Sequence, residues 1–130
     1  MSTELVAVVQ GFMSAMETLD YDAAARFVSS DVRYTNVPLG MEAGTVIGPE
    51  GIRSVLESFF APTITNEFRV LTTAVTGNTV ILERLDRHQF PKGWAELPVV
   101  GIFEVNDGKI TEWREYFDFA TIANVLPGLI

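Results

Sequence analysis

The architecture of this chain is most clearly indicated by residues 68–117, FRVLTTAVTGNTVILERLDRHQFPKGWAELPVVGIFEVNDGKITEWREYF. The segment is rich in β-branched and aromatic residues, which favour strands. Tight turns interrupt it at residues 76–78 (TGN) and 106–108 (NDG), and a looser turn lies at 91–93 (PKG). These features predict an antiparallel meander of strands at Phe68–Val75, Thr79–Phe90, Leu97–Val105 and Ile110–Phe117.

The residues before the meander are mainly helical in pattern. Apolar residues recur at helical spacing over residues 5–16, and again between the helix-start signal Gly48-Pro49-Glu50 and Pro62. The other predicted elements are a helix at Tyr21–Val28 capped by Asp20, a strand at Val32–Val37 ended by Pro38, a loop at Leu39–Gly48, and a last helical piece at Phe119–Val125 ended by Pro127-Gly128. Helices followed by an antiparallel meander predict one α+β domain over residues 1–130, with a pocket between the curved sheet and the helices.

Charge and composition exclude several classes of function. The chain has 17 acidic against 9 basic residues and a net charge of −8, so it would repel nucleic acid and an anionic membrane surface. It has no cysteine and one histidine, His88, which excludes a thiolate nucleophile, a disulfide framework and a histidine-rich zinc site. The acidic residues 1–4 lack the basic region of a signal peptide, and no apolar run approaches the roughly 20 residues that span a bilayer. We therefore expect a cytoplasmic protein with no nucleic-acid or membrane partner.

Polar side chains interrupt apolar strands in three segments: residues 34–38 (YTNVP), 83–86 (ERLD) and 113–118 (WREYFD). Side chains two residues apart on a strand point to the same face. The faces so formed hold Tyr34 with Asn36, Arg84 with Asp86, and Glu115 between Trp113 and Phe117. A carboxylate on an aromatic face is costly to bury unpaired, and the guanidinium of Arg84 has enough donors to bond both Glu115 and Asp86.

This set of residues contains an acid, a base and a cation that can hold the two carboxylates in place. One carboxylate, kept ionised by Arg84, can take a proton from water, while the other, protonated in an apolar pocket, can give one to a leaving oxygen. Tyr34 and Asn36 are suited to hold the attacking water. Proton removal and proton donation in one step suit the opening of a strained three-membered ether, with no cofactor.

The three segments, in this order, resemble the limonene-1,2-epoxide hydrolase family, which shows Tyr-x-Asn-x-Pro, Glu-Arg-x-Asp and Trp-Arg-Asp-Tyr-Phe-Asp strands. Residues 108–111 (GKIT) also fit, and the similarity runs from the first helix to the last strand. The resemblance implies an NTF2-like (SnoaL-like) cone, in which helices pack on the concave face of a curved mixed sheet, usually as a homodimer. It also implies one-step hydrolysis of an epoxide by water, without a covalent intermediate or a metal.

The resemblance further implies a role for each polar residue. Tyr34 and Asn36 would hold the water, residue 115 would be the base, Asp86 would protonate the epoxide oxygen, and Arg84 would bridge the two carboxylates. The family has aspartate where this chain has Glu115, so the base reaches one methylene further, and a misplacement of ~1 Å can cost on the order of 100-fold in rate. The implied substrate-binding residues are Met13, Met16, Leu82, Leu97, Val99 and Phe103.

Other interpretations of the same residues stay open. Arg84 and Asp86 also fit an ordinary ion pair on a solvated face, and Glu115 also fits the wet face of an antiparallel sheet. Asp118 is a rival for the base, but it is out of phase with Glu115 and directly precedes the last helix, so we predict a helix cap. His88 is in phase with Arg84 and Asp86 near the strand end, which fits a position at the pocket rim, but we favour a structural or solvent-facing role and leave it out of the catalytic set.

Two other classes of function fit the same fold. One is a polyketide cyclase or a ketosteroid-isomerase-like enzyme, although an arginine between two acids suits an isomerase poorly, because that reaction needs a neutral donor facing an oxyanion. The other is a non-catalytic binding protein, whose Asp86→Asn variant would still bind its ligand. The residues favour hydrolysis of a small apolar epoxide, cyclic or terpenoid, to a vicinal diol.

Overall fold

Helices and strands occupy most of the chain in the computed structural model, which describes residues 2–130. The helices are α1 (Ser2–Glu17), α2 (Tyr21–Ala25), α3 (Gly48–Phe60), α4 (Phe119–Ala123) and α5 (Leu126–Leu129). The strands are β1 (Val28–Asn36), β2 (Thr45–Ile47), β3 (Thr65–Thr76), β4 (Thr79–Phe90), β5 (Gly93–Asn106) and β6 (Lys109–Tyr116). None of the helices in this part of the chain is long and apolar enough to cross a bilayer.

The strands of residues 2–130 form one mixed, six-stranded sheet in the order β2-β1-β6-β5-β4-β3. The predicted meander is confirmed, because β3, β4, β5 and β6 pair antiparallel in succession. The first strand, β1, pairs in parallel with β6 and antiparallel with β2. This parallel pairing places polar side chains from the two ends of the sequence next to each other.

Helices α1 and α3 cover the concave face of the curved sheet, as an α+β cone requires. Their apolar stripes bury Val9, Phe12, Met13, Ala15 and Met16 from α1, and Ile52, Leu56 and Phe60 from α3. Gly11 allows α1 to lie close to the segment after α2, since a Cβ on residue 11 would meet the Phe27 ring at 2.5 Å. The layer between helices and sheet is therefore the main apolar core of the described chain.

Strand β4 alternates strictly between an inner and an outer face. Every second residue from Val80 to Phe90 is buried, and this inner face runs through Val80, Leu82, Arg84, Asp86, His88 and Phe90. Apolar residues at both ends pack into core clusters, while three polar residues occupy the middle and the later part of the strand. The alternation expected from the sequence thus directs the polar residues of β4 into the protein.

Four local expectations differ from the structure. The helix after Asp20, which caps it by accepting from Ala23 N at 3.0 Å, ends at Ala25, because Val28 pairs with Ile110 in the β1–β6 ladder. The predicted loop at residues 39–48 contains β2, which is held by pairing with β1. Residues 37–39 form a 3₁₀ turn. Pro127 lies in the first turn of α5 and does not end the preceding helix, because the first turn of a helix needs no N–H at that position.

Candidate active site

Arg84 is the centre of a buried cluster of charges. Its side chain is 1% exposed and bonds two carboxylates at once. Its Nε and Nη2 donate to Oδ1 and Oδ2 of Asp86 at 3.0 and 2.9 Å. Its Nη1 and Nη2 donate to Oε2 and Oε1 of Glu115 at 3.2 and 2.5 Å. The guanidinium therefore lies between the two acids and uses its planar fork on each of them.

A glycine on the intervening strand lets Arg84 and Glu115 meet. They lie on β4 and β6, with β5 between them, and Gly101 of β5 is opposite Glu115 in the ladder. A Cβ on residue 101 would lie 2.6 Å from both Arg84 Nη1 and Glu115 Oε2. A glycine inside an apolar strand often marks such a close approach. Gly101 stands within the apolar segment VVGIF at residues 99–103, and this signal of a close approach was missed in the sequence.

Tyr34 and Asn36 lie beside Glu115 because β1 runs parallel to β6. The register pairs Asn36 with Glu115, and Tyr34 with Trp113. The Tyr34 ring stacks on Trp113 with centroids 3.9 Å apart and planes 15° apart. The Tyr34 hydroxyl donates to Asn36 Oδ1 at 3.1 Å, so the Asn36 amide nitrogen keeps its protons for another acceptor. The two residues thus form one rigid polar unit next to the carboxylate of Glu115.

These polar groups line a cavity of about 190 Å³ whose other walls are almost entirely apolar. Four of the six predicted substrate-binding residues line it: Met13, Met16, Leu97 and Val99. Aromatic residues that the sequence analysis did not propose add to the walls, among them Phe59, Phe60, Phe68, Phe117 and Phe119. A mostly apolar cavity with a few convergent polar groups is typical of a small-molecule site.

Leu82 and Phe103 do not line the cavity, contrary to the prediction. Both are at most 1% exposed and belong to the main core. Phe103 stacks on Trp113 at 5.8 Å, and Phe12 of α1 closes over Trp113 edge-on at 5.1 Å. Because β4 and β5 are antiparallel, the inner faces line the cavity from Arg84 onwards along β4 and up to Val99 along β5. Leu82 and Phe103 lie on the other side of this boundary, in the core that includes residues of α1.

Burial and pairing set the charges of the site in opposite directions. Burial lowers the pKa of Arg84, but the charges and hydrogen bonds of Glu115 and Asp86 outweigh it and raise that pKa above its usual value, so Arg84 stays cationic. Burial raises the pKa of Glu115, and Arg84 only partly opposes this. Burial also raises the pKa of Tyr34, which keeps its hydroxyl neutral and able to donate. Glu115 is therefore a stronger base, when ionised, than a carboxylate in water.

The structure also gives the positions of Asp118 and His88, which were left out of the predicted catalytic set. Asp118 is exposed and caps α4 by accepting from Ala120 N at 3.0 Å, as predicted, so it lies outside the cluster. His88 is 2% exposed and lines the cavity, so a solvent-facing position is wrong for it. Within residues 2–130, no three His, Asp or Glu side chains are grouped as metal ligands.

A curved mixed sheet that encloses a cavity with two helices is the architecture of NTF2-like proteins. One solved NTF2-like protein, from Burkholderia xenovorans LB400, superposes with a TM-score of 0.75 over 94% of this chain and 95% of its own, at 21% identity, which shows the fold alone. The model of the limonene-1,2-epoxide hydrolase catalytic domain matches residues 3–127, and the chain belongs to that family.

Similarity in sequence and similarity in structure both lead to epoxide hydrolases of Mycobacterium tuberculosis. The chain is 29% identical to epoxide hydrolase EphG of Mycobacterium tuberculosis (strain ATCC 25618 / H37Rv) over 124 residues, which are 94% of this chain and 79% of that protein. The solved structure of an M. tuberculosis LEH-like epoxide hydrolase superposes with a TM-score of 0.77 at 28% identity, over 98% of this chain and 90% of the other. The predicted family and fold are thus confirmed.

Proposed function

We propose that this protein adds water to the epoxide ring of a small, largely apolar molecule and releases a vicinal diol. The single observation that carries the proposal is the bonding of one buried arginine to two carboxylates, Asp86 and Glu115, at the wall of an apolar cavity. Membership of the limonene-1,2-epoxide hydrolase family and the similarity to EphG support it.

Glu115 acts as the base in this proposal. Its neighbours Tyr34 and Asn36 hold the water, with the free amide protons of Asn36 directed at the water oxygen. As Glu115 takes a proton, that oxygen attacks an epoxide carbon and forms the new C–O bond. The raised pKa of Glu115 favours this transfer, because the base then gains a proton more readily.

Asp86 acts as the acid on the other side of Arg84. It gives its proton to the epoxide oxygen while the C–O bond of the ring breaks, so no free alkoxide forms. Water has then been added across that bond, and the net proton count of the two carboxylates is unchanged. No cofactor or covalent intermediate takes part.

The charge of the cluster favours a single proton on the pair of carboxylates. Two ionised acids and one guanidinium would leave one net negative charge in a site whose three side chains are at most 8% exposed. One shared proton makes the cluster neutral, which a buried site favours. Arg84 remains charged throughout and holds both acids in position.

Diol formation tests the proposal directly. Purified protein is given limonene oxide, cyclohexene oxide and styrene oxide, and the diols are separated and quantified. A single turnover in H₂¹⁸O should place the label in the first diol released and leave the protein unlabelled. Failure of all these epoxides to give a diol, together with proton exchange on enone or ketone substrates, would instead favour an isomerase or cyclase.

We also propose that two copies associate through the outer face of the sheet. The large apolar side chains exposed there include Trp94, Val100 and Tyr116. Val100 and Tyr116 are opposite each other on β5 and β6 and form a continuous apolar surface. Sedimentation equilibrium should give a dimer for the natural chain and a monomer for Val100→Glu, and a monomeric natural chain would disprove the association.

A further inference from the structure

His88 is a polar residue of the cavity that the proposed reaction does not use. It lies on the inner face of β4, two residues after Asp86, and is 2% exposed. Three aromatic rings surround its imidazole at centroid distances of 5.2, 5.5 and 6.3 Å, namely Phe59, Phe60 and Phe68. A buried polar ring among aromatic walls is costly unless its nitrogens are satisfied.

One ring nitrogen is satisfied by a chain of hydrogen bonds that starts at the backbone. Thr63 Oγ1 donates to the carbonyl oxygen of Phe60 at 2.7 Å and accepts from Asn66 Nδ2 at 3.0 Å. The side-chain oxygen of Asn66 therefore faces His88 Nδ1, at 2.8 Å. The reverse orientation of Asn66 would take the Thr63 proton away from Phe60 O.

This chain of bonds determines which nitrogen of His88 carries the proton. The Asn66 oxygen can only accept, so Nδ1 of His88 must donate and the ring is the Nδ1–H tautomer. Nε2 then presents a lone pair; it has no hydrogen bond to another group of residues 2–130, and it is not among their fully buried unpaired polar atoms, so it is accessible from the cavity that His88 lines. Burial also lowers the pKa of His88 to about 4, so the ring is neutral near pH 7 and Nε2 stays unprotonated.

We propose that His88 Nε2 accepts a hydrogen bond from a hydroxyl or N–H group of the bound substrate. Along the strand the Cα atoms of Asp86 and His88 are about 7 Å apart, two residues at ~3.4 Å each, and both side chains lie on the inner face. If Asp86 protonates the epoxide oxygen, the substrate is an epoxide that carries a donor group on an otherwise apolar body, at a separation on the order of the ~7 Å between these two strand positions. That the substrate is an epoxide rests on the proposed function, whereas the donor group follows from the hydrogen bonds of His88 alone.

A requirement for a donor group opposite His88 Nε2 excludes two simpler classes of molecule as preferred substrates. A pure hydrocarbon epoxide would leave Nε2 unpaired in a cavity whose nearby walls are aromatic rings. A ketone, ether or carboxylate at the same place would oppose two lone pairs. A hydroxyl satisfies Nε2 and keeps the apolar contacts, so His88 is a specificity-determining residue in this proposal.

Because His88 is the only histidine of the chain, its imidazole can be observed without assignment. Protein labelled with ¹⁵N-histidine, freed of any histidine tag, should show the Nδ1–H tautomer and no protonation down to pH 5. Menthol should shift the Nε2 resonance in the direction of hydrogen-bond acceptance, whereas menthyl methyl ether, which has no donor, should not. An Nε2–H tautomer, or equal responses to the two ligands, would overturn the proposal.

Binding measurements provide the second arm of the test. Menthol should bind the natural chain about 10-fold more tightly than its methyl ether, the ratio for one hydrogen bond of ordinary strength. His88→Phe keeps the aromatic packing and should remove this ratio. Equal weakening of both ligands would mean that His88 serves packing alone. Neither ligand is an epoxide, so a failure of epoxide hydrolysis would leave this result interpretable by itself.

Discussion

Gly101 and Glu115 face each other in the β5–β6 ladder, and a Cβ on residue 101 would lie 2.6 Å from Glu115 Oε2. The same Cβ would lie 2.6 Å from Arg84 Nη1. The missing side chain therefore gives the glutamate and the arginine the space in which they bond. The longer carboxylate of this chain, relative to the aspartate that the family motif led us to expect, is accommodated next to a residue without a side chain.

Gly101→Ala should lower kcat for diol formation on the order of 100-fold, because it displaces the base or the arginine by about 1 Å. Overpacking should also cost roughly 1–3 kcal/mol of unfolding free energy. Steady-state rates and urea unfolding measure the two effects. Gly128→Ala is the matched control, because a Cβ there meets nothing within 4 Å. Unchanged kcat in Gly101→Ala would show that the contact does not position the reacting groups.

Glu115→Gln should lower kcat by roughly 100-fold to 10,000-fold, the range for loss of a general base. In the natural chain Arg84 Nη1 and Nη2 lie 3.2 and 2.5 Å from the carboxylate oxygens of Glu115. Glu115→Asp keeps the carboxylate but moves it away from both nitrogens. We expect this variant to be intermediate, about 10-fold below the natural chain, as a misplaced base costs rate. The kcat for diol formation is measured for both variants. An aspartate variant as fast as the natural chain would show that the extra methylene of Glu115 is not needed to position the base.

Tyr34→Phe should lower kcat at least about 10-fold while costing only about 1 kcal/mol of stability, one hydrogen bond. The phenylalanine ring can still stack on Trp113, so the packing remains and only the bond to Asn36 Oδ1 is lost. Tyr116→Phe is the control, since Tyr116 is exposed on the outer face of the sheet. Equal losses in the two variants would show that the Tyr34 hydroxyl does not help to hold the water.

Acid should destabilise the protein through His88. Burial lowers its pKa from 6.5 to about 4 in the folded chain, so below pH 6.5 the unfolded chain binds a proton that the folded chain does not. The contribution of His88 to stability should therefore fall as the pH drops from 6.5 towards 4, by about 2 kcal/mol between pH 7 and pH 5. The raised pKa of Glu115 acts in the opposite direction, since the folded chain then binds the extra proton.

Comparison of the natural chain with His88→Gln separates the two contributions. The variant keeps a donor for Asn66 but has no titrating ring, so its unfolding free energy should lose less on going from pH 7 to pH 5. Urea unfolding at both pH values measures the difference. Identical losses in the two proteins would mean that His88 titrates alike in the folded and the unfolded chain.

Much of the fold followed from local patterns. The β-branched runs and glycine turns of residues 68–117 predicted the meander, and the structure has it with ends shifted by a few residues. The alternation of β4 put Arg84, Asp86 and His88 on one face, as the two-residue period of a strand requires. Elements held by distant partners were missed, and β2 is the example, because its three residues form a strand only by pairing with β1.

Residue types and short-range periodicity were enough to predict the family, the order of the elements and the polar residues that share strand faces. Which of those faces meet depends on long-range packing and became clear in the folded chain. The parallel β1–β6 ladder put Asn36 beside Glu115, and Gly101 let Arg84 bond across β5. Leu82 packs into the main core with residues of α1, whereas Leu97 packs with Ile122 and lines the cavity. Such packing brings together residues that are far apart in the chain, so local sequence patterns do not predict it.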